Sequence, residues 1–408
     1  VIASVLLAVL AQEPLDAGSG LAAELDAVLG APSPDAGTAS PPPAQPLNPV
    51  MRAIQSLNPD LSAIIDADFG AATGAPYSLA GDDPDLLGTS KGQPFGFTLQ
   101  EIELALSATV DPYFRADVFL TIPNLQGLEV EEAMVTSTSL PAGLQVKAGI
   151  FRSAFGRQNG QHLHVQDFTR RPLVNEAYLG TDGLRAPGAQ VSWLFPTPFF
   201  LQLSAEAFSV GPPDTDTGHT VSFGGSTRKD LTYTAELKAF APATDSLSIY
   251  GGLNFATGVT PTPRPGARSL LEGADLYLKY KPPNVTGGYF SVAWQSEVFV
   301  RQVLARDLTE SSVLDGGFYT QLVVQLARPW FLGARFDLLG APSSVLQSRV
   351  GRLSMSLTFN PSEFTRIRAY AERENIPAPT ASIFSGPDTW AFYLQLEVAI
   401  GAHGAHAF

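Results

Sequence analysis

The chain has no cysteine and only 3 methionines among 408 residues, and its 25 lysines and arginines are outnumbered by 39 acids. Lack of cysteine excludes disulfides and thiolate metal sites, so any metal must be held by His, Asp or Glu. A shortage of basic residues argues against a nucleic-acid partner, because binding to a phosphate backbone draws on Lys and Arg. Charged residues make up 16% of the chain and apolar ones 45%, yet no apolar run reaches the roughly 20 residues a helix needs to cross a bilayer. The run that comes nearest, Val1 to Ala11, is short and ends in a small residue followed by Gln12. It reads as the apolar remnant of a secretory signal at 1–11, which makes the protein an exported one. If such a chain enters a membrane it does so as a closed β-barrel, the other structure that satisfies every backbone group in lipid.

What is present fits that reading. Residues 12–58 are rich in Ala, Pro, Gly, Ser and Asp and include the run Ser-Pro-Pro-Pro-Ala-Gln-Pro. They read as a periplasmic tether with short helices near Leu21–Leu29 and Met51–Leu57, able to reach a periplasmic partner. From 59 to 408 the pattern has period two. Ile102, Leu104, Leu106, Ala108 and Val110 share one face of a strand whose other face carries Glu101, Glu103, Ser107 and Thr109.

The connections sharpen the fold class. Seven are short and contain proline: Asp111-Pro112, Pro141, Pro196 with Pro198, Pro242, Pro282-Pro283, Pro329 and Asn360-Pro361. Longer polar connections lie between them, the asymmetry of an outer-membrane barrel with tight periplasmic turns and long external loops. Tyr113, Phe114, Trp193, Phe195, Phe199, Phe200, Trp330, Phe331, Phe359 and Phe364 crowd the short turns, where an interfacial girdle belongs. Fourteen strands flank these turns; a first strand near Leu61–Phe69 and a last near Trp390–Ile400 bring the total to sixteen. The expectation is an all-β, 16-stranded antiparallel transmembrane barrel with both termini periplasmic. Phe408 falls in phase with the apolar face of the last strand, which suggests a terminal signal for the barrel-assembly machinery.

Several segments carry a resemblance. Ser56–Gly70, Val130–Leu173 with its Gln-His-Leu-His, Ser192–Phe208, Ser362–Tyr370 and the ending Gly-Ala-His-Gly-Ala-His-Ala-Phe resemble proteobacterial outer-membrane proteins labelled zinc-regulated TonB-dependent receptors. A wider similarity is to phosphate-selective, OprP-like porins. The resemblance implies a barrel used for uptake, with zinc as a candidate ion. A receptor of that type carries a large plug domain ahead of its barrel, and the stretch between 12 and the first strand is too short for one, so the reading is a porin.

The polar faces of the strands assign the lumen wall. Asp66, Asp68, Glu101, Glu103, Asp117, Glu132, Glu206, Asp230, Glu236, Asp275, Glu297, Asp337, Glu372 and Glu397 oppose Arg115, Lys147, Lys238, Lys279, Arg335, Arg366 and Arg368. An acidic wall favours cations. Between two strands stands a polar loop of about 32 residues, Phe155 to Gly188, and loops of that length usually carry function. It holds Arg157, Asp167, Arg170, Arg171, Glu176 and Arg185 and reads as the third outer loop, folded inward as a constriction.

Four of the five histidines fall in two pairs, His162 with His164 and His403 with His406, and His219 stands alone. Imidazole pairs at such spacing can present two nitrogens to zinc, with Asp167 or Glu176 completing the loop site. The bland alternative is that they hydrogen-bond a loop or complete the last strand. No Ser-His or Asp-His set is picked out by spacing, so the chain is read as a non-enzyme. The expected function is passive diffusion of small solutes, cation-leaning, with no cofactor required. The alternatives are a structural or assembly protein acting through its tether, and a gated metal-uptake receptor. Expected surroundings are outer-membrane lipid and lipopolysaccharide, and a homotrimer by analogy.

Overall fold

A computed structural model describes residues 60–73, 95–123, 127–180, 182–211, 222–225, 227, 229–261, 264–283, 289–305, 310–344, 349–375 and 388–401. The signal remnant, the tether with its two short helices, His403, His406 and Phe408 lie outside the described residues.

Sixteen strands form one antiparallel barrel. They are β1 (Asp60–Ala72), β2 (Phe95–Asp111), β3 (Phe114–Pro123), β4 (Glu129–Ser137), β5 (Leu144–Arg152), β6 (Arg185–Leu194), β7 (Phe200–Phe208), β8 (Thr232–Pro242), β9 (Leu247–Thr260), β10 (Ala267–Tyr280), β11 (Ser291–Val303), β12 (Val313–Ala327), β13 (Trp330–Leu339), β14 (Val350–Ser362), β15 (Thr365–Asn375) and β16 (Asp388–Gly401). Each pairs with its sequence neighbour, and β1 closes on β16 in a register running from Ser62 opposite Gly401 to Ala72 opposite Ala391. Closure leaves no edge strand, as a lipid environment demands.

Side-chain polarity is inverted relative to a soluble barrel. Along β14, Leu353, Met355 and Leu357 are exposed at 50%, 53% and 43%, while Ser354, Ser356 and Thr358 are buried. The same holds on β16, where Phe392, Leu394 and Leu396 face outward and Tyr393, Gln395 and Glu397 inward. Period two therefore puts apolar residues on a lipid-compatible outer surface and polar ones in the lumen. Among the described residues no helix is long and apolar enough to cross a membrane.

All seven proline-containing connections join consecutive strands at one rim. The tightest are set locally; Asp111 Oδ1, for instance, accepts from the backbone N–H of Tyr113 and Phe114 at 2.8 and 2.9 Å, a side-chain-stabilised turn. Trp330 packs on Phe359 and Trp193 on Phe195, with ring centroids 4.5 and 4.1 Å apart. Phe331 departs from the expected girdle and lines a cavity inside the barrel. The contrast between rims is looser than expected: the link at 124–128 on the loop side is short, and that at 281–290 on the turn side is long. Asp230, assigned to the wall by alternation, precedes β8 and caps a loop turn, accepting from the backbone N–H of Thr227 at 3.0 Å.

Candidate functional site

The loop between β5 and β6 occupies the lumen. Arg185 is the first residue of β6 and Arg152 the last of β5, so the loop runs from 153 to 184, beginning two residues and ending four residues earlier than the alternation suggested. Nor is it without structure: Leu163–Val165 form one 3-10 turn and Leu173–Leu179 a helix, α1. Pro172 enters α1 and Gly180, at φ 102°, ends it. That Pro-start, Gly-stop punctuation was readable from the sequence. Every residue of α1 is buried. Its apolar residues join Phe155, Phe299, Tyr319 and Leu339 in one cluster, with Phe155 meeting Phe299 edge-on at 5.3 Å.

Polar ties fasten the loop all round the wall. Ala154 N–H donates to Glu206 of β7 at 3.1 Å, Gly156 N–H to Asn254 of β9 at 2.9 Å, and Gln158 N–H to Glu297 of β11 at 2.7 Å. Leu173 N–H donates to Asp337 of β13 at 2.9 Å. Arg366 and Arg368 of β15 donate to the backbone oxygens of His164 and Gln166 at 2.6 and 2.7 Å, and Thr169 reaches Gln395 of β16 at 3.2 Å. Arg170 is wholly buried and pairs with Glu372 and Glu374 of β15. Asn159 bonds Ser153 O and the N–H of Leu184, each at 2.7 Å, and so joins the two ends of the loop. Arg157 stacks over Tyr277 of β10, 4.1 Å from its ring centre.

Both histidines of the first pair are buried against β2 and β4. His162 Nδ1 lies 3.0 Å from Glu103 Oε2 and 3.3 Å from Glu131 Oε2, while its Nε2 lies 2.9 Å from Glu132 Oε2. His164 Nδ1 is 3.3 Å from the same Glu103 oxygen and 3.8 Å from Glu101 Oε1. Burial by itself would lower both imidazoles, but the surrounding carboxylates outweigh it: Glu101 and Glu103 raise His164 to about 9, and Glu131, with Glu103 and Glu132, holds His162 well above the usual range.

Asp167 and Glu176 are not the partners of this pair. Asp167 lines a cavity beside Arg366 and Arg368, and Glu176 is buried in α1. The carboxylate that strict alternation missed is Glu131. Phe119 faces Glu132 and Leu120 faces Val130, so Glu131 is the extra residue of a β-bulge in β4, and both glutamates turn inward. The Glu131-Glu132 doublet was the available signal.

Of the other wall residues, Glu101, Glu103, Asp117, Glu132, Arg366 and Arg368 face the interior. Lys147 is half-buried, 4.8 Å over the ring of Phe151. Arg115 stands exposed at the turn rim, paired with Asp117 at 3.0 Å. In the loop, Arg171 is buried and its backbone oxygen is held by Arg335 and Arg352. Beside the loop remains a cavity of about 210 Å³, lined by Asp167, Phe331, Ser356, Thr358, Arg366 and Arg368.

A closed 16-stranded barrel, lipid-compatible outside and holding an inward-folded loop, has the fold of the outer-membrane porins. An anion-selective porin of Comamonas acidovorans superposes with a TM-score of 0.53 over 84% of this chain and 99% of its own, at 10% identity. The channel DcaP of Acinetobacter baumannii gives 0.53 over 84% and 97%, at 12% identity, and OprB of Pseudomonas putida 0.51 over 86% and 96%, also at 12%. At the level of sequence, the chain is 33% identical over 348 residues to an uncharacterized protein of Aquifex aeolicus, 77% of this chain and 70% of that protein. The chain belongs to the family of that Aquifex protein. No family model matches it.

Proposed function

We propose that the protein is an outer-membrane channel for passive diffusion of small solutes, with residues 153–184 as its constriction. The observation that carries this reading is the loop itself, seated inside a porin-fold barrel and tied to strands around the wall. In this reading the short-turn rim is periplasmic, the outer face meets lipid and lipopolysaccharide, and the C-terminal Phe408 serves the barrel-assembly machinery.

A cation-leaning channel is supported by the lumenal carboxyl groups left over after pairing. Asp66, Asp68, Glu206, Asp275 and Glu297 are buried in the lumen and have no basic partner within ion-pair distance among the described residues. Carboxylates in a pore raise the local concentration of cations. The number of ties on the loop favours a narrow or gated passage over a wide one, which keeps gated metal uptake as the second reading. OmpT of Vibrio cholerae is described in a trimer form; a homotrimer is proposed here by that analogy, and native mass spectrometry of the detergent-solubilised protein tests it.

Reconstitution into planar bilayers tests the channel. A KCl gradient across the inserted protein should give discrete conductance steps with a reversal potential on the cation side. Anion-side reversal would contradict the charge argument while leaving the channel.

A further inference from the structure

We propose that His162 and His164 of the loop, Glu103 of β2 and Glu131 of β4 form a binding site for a divalent transition-metal ion of the zinc type, which staples the loop to the barrel wall.

Convergence of donor atoms is the first ground. Nitrogen and oxygen donors of Glu103, His162 and His164 all lie within 4.8 Å of one another, and all three residues are buried. His162 Nδ1 faces two carboxylate oxygens, at 3.0 and 3.3 Å, and Glu103 Oε2 faces two imidazole nitrogens, at 3.0 and 3.3 Å. A ring nitrogen carries one hydrogen, so it cannot make a full hydrogen bond to both oxygens. One ion between them would engage all of these atoms. Zinc bonds of about 2.0–2.2 Å in a tetrahedron place neighbouring donors about 3.3–3.6 Å apart, close to the 3.0 and 3.3 Å of these contacts.

Glu131 supplies the second ground. Its Oε2 is buried and has no hydrogen-bond partner among the described residues, although it lies 3.3 Å from His162 Nδ1. An oxygen so placed is a further donor for an ion bound at that nitrogen. The bulge that turned Glu131 inward is what put it there.

A third ground is the support behind the donors. His162 Nε2 sits 2.9 Å from Glu132 Oε2, and Glu132 also accepts from the backbone N–H of Arg152. A carboxylate on the far nitrogen fixes the ring so that Nδ1 offers its lone pair to the ion, the arrangement usual behind metal-bound histidines. Any proton on Nδ1 leaves to solvent as the ion binds. Charge favours a dication too: Glu101, Glu103, Glu131 and Glu132 surround the pair, and Arg152 offsets one of them through Glu131. Nitrogen and carboxylate donors suit zinc and its neighbours better than magnesium or calcium, which take oxygen alone. The site is independent of whether the barrel conducts, since metal binding is read directly.

The test uses the full chain in detergent, its fold confirmed by heat-modifiable migration on a gel. After chelator treatment and dialysis, zinc is titrated by calorimetry, and cobalt(II) is titrated while its visible absorption is followed. The proposal expects one tight ion per chain, a tetrahedral cobalt spectrum, and retention of both in a His403→Ala, His406→Ala variant. His162→Gln with His164→Gln should weaken binding at least 100-fold while the barrel still folds, and Glu132→Gln should weaken it about 10- to 100-fold. Absence of tight binding by the unaltered chain, or equal binding by the folded His162→Gln, His164→Gln variant, would overturn the proposal. So would loss of the ion from the His403→Ala, His406→Ala variant alone.

Discussion

Arg368 of β15 donates to the backbone oxygen of Gln166 at 2.7 Å, yet no carboxylate lies within ion-pair distance of its guanidinium among the described residues. Its other partners, Gln395 and Thr358, are neutral as well. A buried cation held by uncharged acceptors keeps its field in the lumen, and it borders the cavity beside the loop. Arg368→Gln should therefore move the reversal potential under a KCl gradient further toward cations. An unchanged reversal potential would show that this guanidinium does not face the conduction path.

Arg170 is the reverse case, a loop guanidinium wholly buried between Glu372 and Glu374. Breaking one side of a buried pair leaves an uncompensated charge and costs about 3–5 kcal/mol. Glu372→Gln should lower the temperature at which the folded band is lost on a heat-modifiability gel and loosen the loop. An unchanged transition would mean that Glu374 or water takes up the charge in full.

The apolar seat of the loop can be weakened without touching any charge. Leu173 is fully buried in α1, in the cluster that also contains Phe155, Phe299 and Tyr319. Truncating a buried leucine typically costs about 2–5 kcal/mol. Leu173→Ala should speed proteolytic cleavage within 153–184 and raise the open-channel current or its noise. Cleavage and current both equal to those of the unaltered protein would show that the polar ties alone hold the loop.

Close approach to the wall depends on residues outside the loop. A Cβ added at Gly333 would come within 3.0 Å of the Phe168 ring and 2.4 Å of Ser356 Oγ, and one at Gly317 within 2.7 Å of Val174. Gly333→Val should push Phe168 off β13 and change the conductance while the barrel still assembles. Conductance identical to that of the unaltered protein would mean the ring has room to move aside.

Barrel and site differ in how readable they were. Alternation carries one bit per residue, inside or outside, and in β2, β14 and β16 that bit follows directly from Glu103, Ser354 and Tyr393 against their apolar neighbours. Strand number and the inward polar face are therefore visible in the chain. A bulge erases the bit locally, which is why alternation left Glu131 out of the lumen wall when it is one of the carboxylates around His162. The partners of His162 and His164 come from strands distant in sequence, and no spacing rule ties His162 to Glu103. Choosing Asp167 and Glu176 as their partners followed nearness along the chain, whereas the fold of the loop sends those two residues to other walls. Helix α1 was announced by Pro172 and Gly180, and the run of loop charges around it obscured the signal.

The most direct test of the channel and its constriction is single-channel current across a planar bilayer, comparing the unaltered protein with Leu173→Ala under the same KCl gradient. The unaltered protein should give small, cation-leaning steps, and Leu173→Ala, with the seat of the loop weakened, larger ones. No current from either, with insertion confirmed, would contradict this and leave a closed barrel in which residues 153–184 act as a permanent core.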